Sequence, residues 1–461
     1  MTLPSITTTD PQDLGDGLIL RWSTPADLDK IGTLLGTAFR SSADDPLNVR
    51  MADQPQIAAR PGFPFRGETA WGIVEDTGKP NHPVVACTIL WRHRWSYAGI
   101  EFNVGRPEFV AADPAYRNRG LVRKVFNLLH ARSEAEGHLL QAITGIPYFY
   151  RQFGYEYVLD LGGYRSALLQ AIPEKKEDGP EPYALRPATF DDIPHLVTLY
   201  SQGRKNSLLW HEATEEYWRF NIAYWQDPAI LSRDITTLGY GPRLQMIVDG
   251  DSVVCGYAAL SARRGSRDLW VRELNLYPQV SLPKALPVLL RLLRAYGETV
   301  PVLKPDTPPL SEIEFSLGRS HPIYDLLGEE MAPRHEPPYA WYIRVPDVPA
   351  FIRHIAPVLE QRLADSALQG YTGELRFDFY RGGLRLAFEG GKLTTAESWR
   401  PPTYGDHANA GCPPLVFLQL LLSYRDLKEL KATYPDVWSN NESTLLINTL
   451  FPVRPSQVNP L

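Results

Sequence analysis

The sequence predicts an α/β protein of the α+β kind: two related mixed-sheet units in tandem, followed by a separate α+β unit. Three observations predict this. LILRWSTPADLDKIGTLL from Leu18 and YALRPATFDDIPHLVTLY from Tyr183 share one strand–cap–helix pattern, with Leu20-Arg21 falling on Leu185-Arg186, Thr24 on Thr189 and Asp27 on Asp192. The polar, proline-containing stretch IPEKKEDGPEP (172–182) lies between them as a linker. After a second break, EEMAPRHEPPYA (329–340), the chain carries a hairpin and helices that have no counterpart upstream.

Taken in order, each repeat begins with a short strand, a Ser/Thr cap, acidic residues in the first turn and an amphipathic helix. PVVACTILWRHRW (83–95) and SVVCGYAALSARR (252–264) follow at a similar offset and both read as strands, which supports a tandem duplication. In the first unit a strand, PEFVAADP (107–114), leads to AYRNRGLVRKVFNLLH (115–130). There Leu121, Val122, Val125, Phe126, Leu128 and Leu129 mark one helix face and Gly137 a stop. HLLQAITG (138–145) reads as a strand, PYFYRQF (147–153) as a short helix and YEYVLDL (155–161) as a strand. In the third unit ELRFDFYRGGLRLAFEG (374–390) alternates around YRGG as a hairpin does, and helical patterns run from Pro413 to Leu430.

A chain of 461 residues exceeds what one core holds, about 250 residues. The boundaries expected are 1–171, 183–340 and 346–461. Hydrophobic content of 44% with 22% charged residues is that of a globular protein, and no apolar run reaches the ~20 residues of a membrane span. PPLVFLQLLLSY (413–424) is too short and reads as a buried helix. A net charge of −6 argues against nucleic acid as the main partner. The N-terminus lacks the positive patch and apolar segment of a signal peptide, so a cytoplasmic location is expected. Cys87, Cys255 and Cys412 form no ligand spacing and the ten histidines no H-E-x-x-H, so no metal is expected.

The basic helix start at 117–123 is the clearest candidate for chemistry. A helix N-terminus offers free amide hydrogens and a partial positive charge, which suit a phosphate or pyrophosphate. Gly120 lets the backbone approach an anion, and Arg117 and Arg119 add charge. An R-x-x-G alone also fits a solvated basic helix start; the preceding strand and the FYRQFGY segment about thirty residues on set this one apart.

FVAADPAYRNRGLVRKVFNLLHARSEAEG followed by YFYRQFGYEYV resembles the acetyl-CoA-binding core of the GNAT superfamily of N-acetyltransferases, whose pattern is [Q/R]-x-x-G-x-[G/A]. Arg117 and Gly120 match, and Val122 departs from the family's small residue. In subfamily terms the chain resembles the enhanced intracellular survival (Eis) acetyltransferases, with the R-x-R-G-L loop and Y-x-x-F-G-Y segment. The resemblance implies an acetyl-CoA-binding GNAT domain over 1–171, a degenerate second GNAT domain over 183–340 and a sterol-carrier-like domain over 346–461. The second half, LWVRELNLYPQVSLPKALPVLLRLLRAYG (269–297), has the strand and the helix but no R-x-x-G between them, so a single acetyl-CoA site is expected. A homo-oligomer built from trimers is implied as well.

The resemblance also implies roles. The backbone of Val110, Ala111 and Ala112 would pair with the pantetheine arm, and Asn118, Arg119, Gly120, Leu121, Val122 and Arg123 would line the pyrophosphate. Tyr150 falls on the tyrosine that protonates the leaving thiolate, a phenol of pKa ~10 donating to a thiolate of ~8.5. The structural alternative is an aromatic residue packing the short helix, as Phe149 and Phe153 do; Tyr148 and Tyr155 are the neighbouring tyrosines to be distinguished from it. For the base the resemblance implies the terminal carboxylate, here that of Leu461 in place of the usual aromatic residue, with Glu101 or Glu108 as alternatives. Acidic SADD (42–45) and the aromatic run LWHEATEEYWRFNIAYW (209–225) would suit a cationic amine acceptor, although a solvated loop and a packed helix explain them too. The expected activity is acetyl-CoA-dependent N-acetyl transfer to a primary amine of a small cationic molecule or a lysine. The other reading is a non-catalytic protein that senses CoA or holds an apolar ligand.

Overall fold

The computed structural model describes residues 10–65, 70–175, 179–239, 241–401 and 407–458. Among them the first half runs β1 (Leu18–Trp22), α1 (Leu28–Ala38), β2 (Trp71–Asp76), β3 (Val84–Tyr97), β4 (Ile100–Ala112), α2 (Leu121–Ala135), β5 (Leu140–Ile143) and β6 (Glu156–Leu161). The second runs β7 (Tyr164–Leu168), β8 (Tyr183–Pro187), α3 (Ile193–Gln202), β9 (Leu209–His211), α4 (Glu215–Gln226), β10 (Arg243–Asp249), β11 (Val254–Leu260), β12 (Asp268–Leu276), α5 (Leu282–Thr299), β13 (Glu312–Phe315) and β14 (Tyr339–Arg344). The third unit holds α6 (Val348–His354), α7 (Ala356–Ala364), β15 (Gly373–Asp378), β16 (Gly383–Glu389), β17 (Lys392–Trp399), α8 (Pro414–Leu421) and α9 (Asn441–Leu450).

The repeated pattern folds the same way twice. Asp27 accepts from the Thr24 backbone N–H at 2.7 Å and its hydroxyl at 2.9 Å, while both terminal nitrogens of Arg21 donate to it at 2.8 Å. Asp192 does the same with Thr189, at 2.8 and 2.9 Å, and with Arg186, at 2.7 Å twice. One carboxylate thereby ties the end of the strand to the start of the helix in each half. Burial pushes the Asp27 carboxyl up, but Arg21 and Thr24 outweigh it and bring it to about 2.

Among the described residues three mixed sheets result. The first runs β1-β2-β3-β4-β5-β14-β6, with the two-residue strand 12–13 outside β1 and β9 pairing β3. The second runs β7-β13-β12-β11-β10-β8, with the short strand 334–336 beyond β7, and the third holds β17-β16-β15 and two short strands. Strands cross the expected boundaries. β14, at the end of the break read in 329–340, sits antiparallel between β5 and β6. β7, from before the linker, pairs β13 of the second sheet. β15 and β16 pair from Gly373↔Phe388 to Asp378↔Gly383, the hairpin the YRGG signal predicts.

The units share cores as well as strands. Ile31, Leu34 and Leu35 of α1 pack in one cluster with Leu199, Trp218, Met246 and Tyr257 of the second half. Trp95, Phe102, Val104 and Trp341 of the first sheet belong to the cluster that includes Phe351, Phe377, Phe417 and Leu446. Residues 455–458 are anchored between the halves: Leu208 N–H donates to Pro455 O at 2.8 Å and Gln457 N–H to Ser207 Oγ at 2.7 Å. Trp341 Nε1 then donates to Val458 O at 3.3 Å.

Candidate active site

The site begins where two strands part. β4 and β5 run parallel but pair only at Val104↔Leu140 and Gly105↔Gln141. Beyond that point β5 turns to β14, so residues 106–112 of β4 keep β3 on one side and an open backbone edge on the other. Opposite β3 the register slips, with Cys87 facing Ala111 and Ile89 facing Glu108. This bulge places Phe109 at φ 51 and turns the following backbone toward the gap. Ala111 and Ala112 stay paired with β3, while Val110 lines the gap's mouth.

At the end of β4 the chain turns into α2. Asp113 accepts from Ala115 N–H at 2.8 Å, and the Tyr116 hydroxyl donates to Asp76, fixing the turn. Asn118 (φ 62) and Gly120 (φ 74) are both left-handed, and Gly120 caps α2 with nothing within 4 Å of the position a Cβ would take. Arg117, Asn118, Arg119 and Gly120 are exposed beside the unpaired first-turn amides of α2. Arg119 reaches Asp16 at 3.0 Å and lies over the Tyr116 ring, while Arg123 donates to Gln152 Oε1 at 2.5 Å. Leu121 is buried, and Val122 packs beside Phe126 and Tyr150. An open strand edge leading to a basic, glycine-capped helix start fits a pantetheine arm ending in a pyrophosphate. The equivalent start of α5 has Ser281 as cap and Pro283 within its first turn, with no such cradle.

The gap opens into a cavity of about 520 Å³ between the two halves. Tyr150, in the 3-10 turn Phe149–Phe153, lines it and is only 3% exposed. Phe126, Phe149 and Tyr342 surround its ring at 5.2–5.8 Å between centroids. Its hydroxyl has no hydrogen-bond partner among the described residues and stands 4.0 Å from the position of a Cβ on Gly145. Burial, and next the charge of Glu108, push the phenol above its ordinary value, so it stays protonated at neutral pH. The loop beneath it is held from β14: Tyr339 and Tyr342 donate to the carbonyls of Gly145 (3.4 Å) and Ile146 (3.3 Å). Across the cavity Glu108 pairs with Arg106 at 2.9 Å, and the guanidinium lies between the rings of Trp91 and Trp341, at 5.2 and 4.8 Å.

Other residues singled out in the sequence fall differently. Tyr148 is 73% exposed, and the buried Tyr155 hydroxyl is bonded to His130 at 2.8 Å. Glu101 stands at the far end of β4, paired with Arg94 at 3.4 Å, away from the cavity. SADD forms a surface turn in which Asp45 accepts from Ser42 N–H, so its carboxylates do not wall the cavity. The aromatic run does: Tyr217, Phe220 and Tyr224 of α4 line it. Leu461 lies outside the described residues. Sequence reading missed the segment after α1, where Met51, Gln54, Ile57 and Phe65 form the opposite wall, and Arg272 of β12. The Arg60–Asp227 ion pair (3.0 Å) and the Arg233–Asp53 pair clamp that wall to the second half.

The fold and this site define a class, and sequence comparison agrees: residues 20–158 match the family model of the acetyltransferase (GNAT) domain. Residues 20–158 are therefore a GNAT-type acetyltransferase domain, a kind that transfers an acetyl group from acetyl-CoA. Over its whole length the chain is similar in structure to a GCN5-related N-acetyltransferase from Anabaena variabilis (TM-score 0.62, 15% identity, 96% of this chain and 99% of that one). It is also similar to one from Kribbella flavida (0.60, 17%, 96% and 97%) and to Eis1 from Mycobacterium abscessus (0.57, 11%, 96% and 100%). At these identities the likeness is one of fold. No curated protein matches the chain in sequence.

Proposed function

We propose that the protein transfers the acetyl group of acetyl-CoA to a primary amine, on a small cationic molecule or a lysine, bound in the cavity between the halves. The observation that carries this reading is the buried Tyr150 hydroxyl, unpartnered among the described residues, at the mouth of the gap between β4 and β5. Acetyl-CoA supplies the activated thioester. The open edge at Val110, Ala111 and Ala112 would bind its arm. Arg117 and the turn from Asn118 to Arg123 would hold its pyrophosphate by amides and charge.

Tyr150 then acts as the acid. A phenol kept neutral by burial holds its proton until a thiolate forms beside it and then donates that proton. The amine must be neutral when it attacks, so the bound ammonium has to give up a proton to a base. One candidate is Glu108, whose contacts with Arg106 both use Oε2. The other is the terminal carboxylate of Leu461, carried by the segment that reaches Val458 one indole away from Arg106. Aromatic faces of Trp91, Tyr217 and Phe220 receive the incoming ammonium.

Thiol release from acetyl-CoA with a panel of amines tests this in wild type, Tyr150→Phe, Glu108→Gln and a chain extended past Leu461. Tyr150→Phe should lower kcat by roughly 10²–10⁴-fold with little change in the KM for acetyl-CoA. Of the other two, the one that removes the base should lose activity steeply. Wild-type rates in the tyrosine variant would sink the acid assignment.

A further inference from the structure

Arg106 and Arg272 occupy corresponding places in the two halves. Arg106 is the first residue of β4 after its last parallel pair, Gly105↔Gln141. Arg272 is the first residue of β12 after its last parallel pair, Val271↔Phe315. Both side chains line the same cavity. Their surroundings differ at the second residue onward, because the first half has Glu108 there and the second has Leu274. Arg106 is thus neutralised within its own strand. Arg272 makes no hydrogen bond or ion pair among the described residues, and its guanidinium lies 5.7 Å from the centre of the Trp270 ring.

The carboxyl groups of Glu273 and Glu314 act on Arg272 through their charge, but neither forms a direct ion pair with it. Asp268 accepts from Ser266 at 2.9 Å and faces Arg334 at 4.0 Å, and Glu273 accepts from the Tyr257 hydroxyl. Glu314 is pushed up to about 7 by burial and then by the charge of Asp268. A side chamber of about 230 Å³ shares Arg272 with the main cavity and is lined by Arg50, Arg263, Arg264 and Asp268 as well. Arg263 donates to the carbonyl groups of Ile235 (2.7 Å) and Leu238 (2.6 Å). Burial pulls Arg272 and Arg50 below the usual arginine range, the second to about 10 with help from the charge of Arg263. A guanidinium that lines a largely apolar cavity without a direct ion pair is placed to take an anionic ligand.

We infer that Arg272 is the anion-binding end of the acceptor cavity, and that the acceptor is an amine that also carries a carboxylate or phosphate. This rests on the acetyl-transfer reading for the amine end. The acid group seats on Arg272 and directs the amine toward Glu108 and Tyr150.

The test compares kcat/KM for 6-aminohexanoate, O-phosphoethanolamine and hexylamine in wild type, Arg272→Gln and Arg272→Lys, beside calorimetric binding of hexanoate, which has no amine. The preference for the better acid-bearing amine over hexylamine should fall roughly ten- to a hundredfold in Arg272→Gln and return in part in Arg272→Lys. Whichever acid wins assigns carboxylate or phosphate. Hexanoate should bind wild type and lose that binding in Arg272→Gln. If amines are turned over while the substitution moves neither the preference nor hexanoate binding, the subsite is overturned and acetyl transfer stands. If no amine is turned over but hexanoate binding depends on Arg272, the subsite stands and the acetyl-transfer reading falls.

Discussion

Single residues decide the candidate site through what surrounds them, and that governs which could be read ahead of the structure. Gly120 was legible because a left-handed cap before a basic helix is a local demand, and the structure places it at φ 74. Gly120→Ala meets no steric obstacle but carries the left-handed strain, about 1–2 kcal/mol. It should raise the KM for acetyl-CoA severalfold and lower Tm by a few degrees, measured by initial rates and calorimetry; unchanged values would remove the turn from the cofactor site. Tyr150 could be picked out among its neighbours by motif, yet its unbonded hydroxyl could not. For Arg272 the sequence offers only a faint signal, R-x-E in one half against R-x-L in the other. SADD takes the simpler of its two readings, a solvated loop, with Asp45 accepting from Ser42 within the turn.

At the scale of elements, strand–helix order was readable wherever contacts are local, and strand exchange was not. The paired Arg21–Asp27 and Arg186–Asp192 devices follow from residues six apart. Asp192→Ala removes a buried cap acceptor and should cost about 1–2 kcal/mol, read from urea unfolding. A loss under a few tenths would show the tie to be ornamental. By contrast, nothing near Tyr339–Arg344 announces a place between β5 and β6, since register there is set by strands some 180 residues away. The cavity walls were hidden for the same reason: α4 and the segment after α1 meet only through the docking of the halves.

On the scale of the whole molecule, the shared cores imply one cooperative unit whose stability depends on acid. His93 and His211 lie buried with ring centroids 5.2 Å apart, next to Phe65 of the cavity wall. Burial, then the charges of His211, Arg106 and His138, hold His93 well below its ordinary value, and burial brings His211 to about 3 and His130 to about 3. A histidine depressed on folding contributes stability above the unfolded value of about 6.5 and loses it as pH falls from there toward the folded value. Tm should therefore decline from about pH 6.5 downward, before most carboxylates begin to titrate, and His93→Phe should flatten that slope. A slope unaltered by the substitution would assign acid lability elsewhere. The place that residues 339–344 fill in the first sheet stands open during synthesis. On a ribosome adding about 5–20 residues each second, β6 is finished roughly 10–40 s before β14 arrives to fill the place beside it. Through that interval the nascent first half holds two unjoined strand edges, so it waits, exposed to chaperones, for a piece of its neighbour before it can become an enzyme.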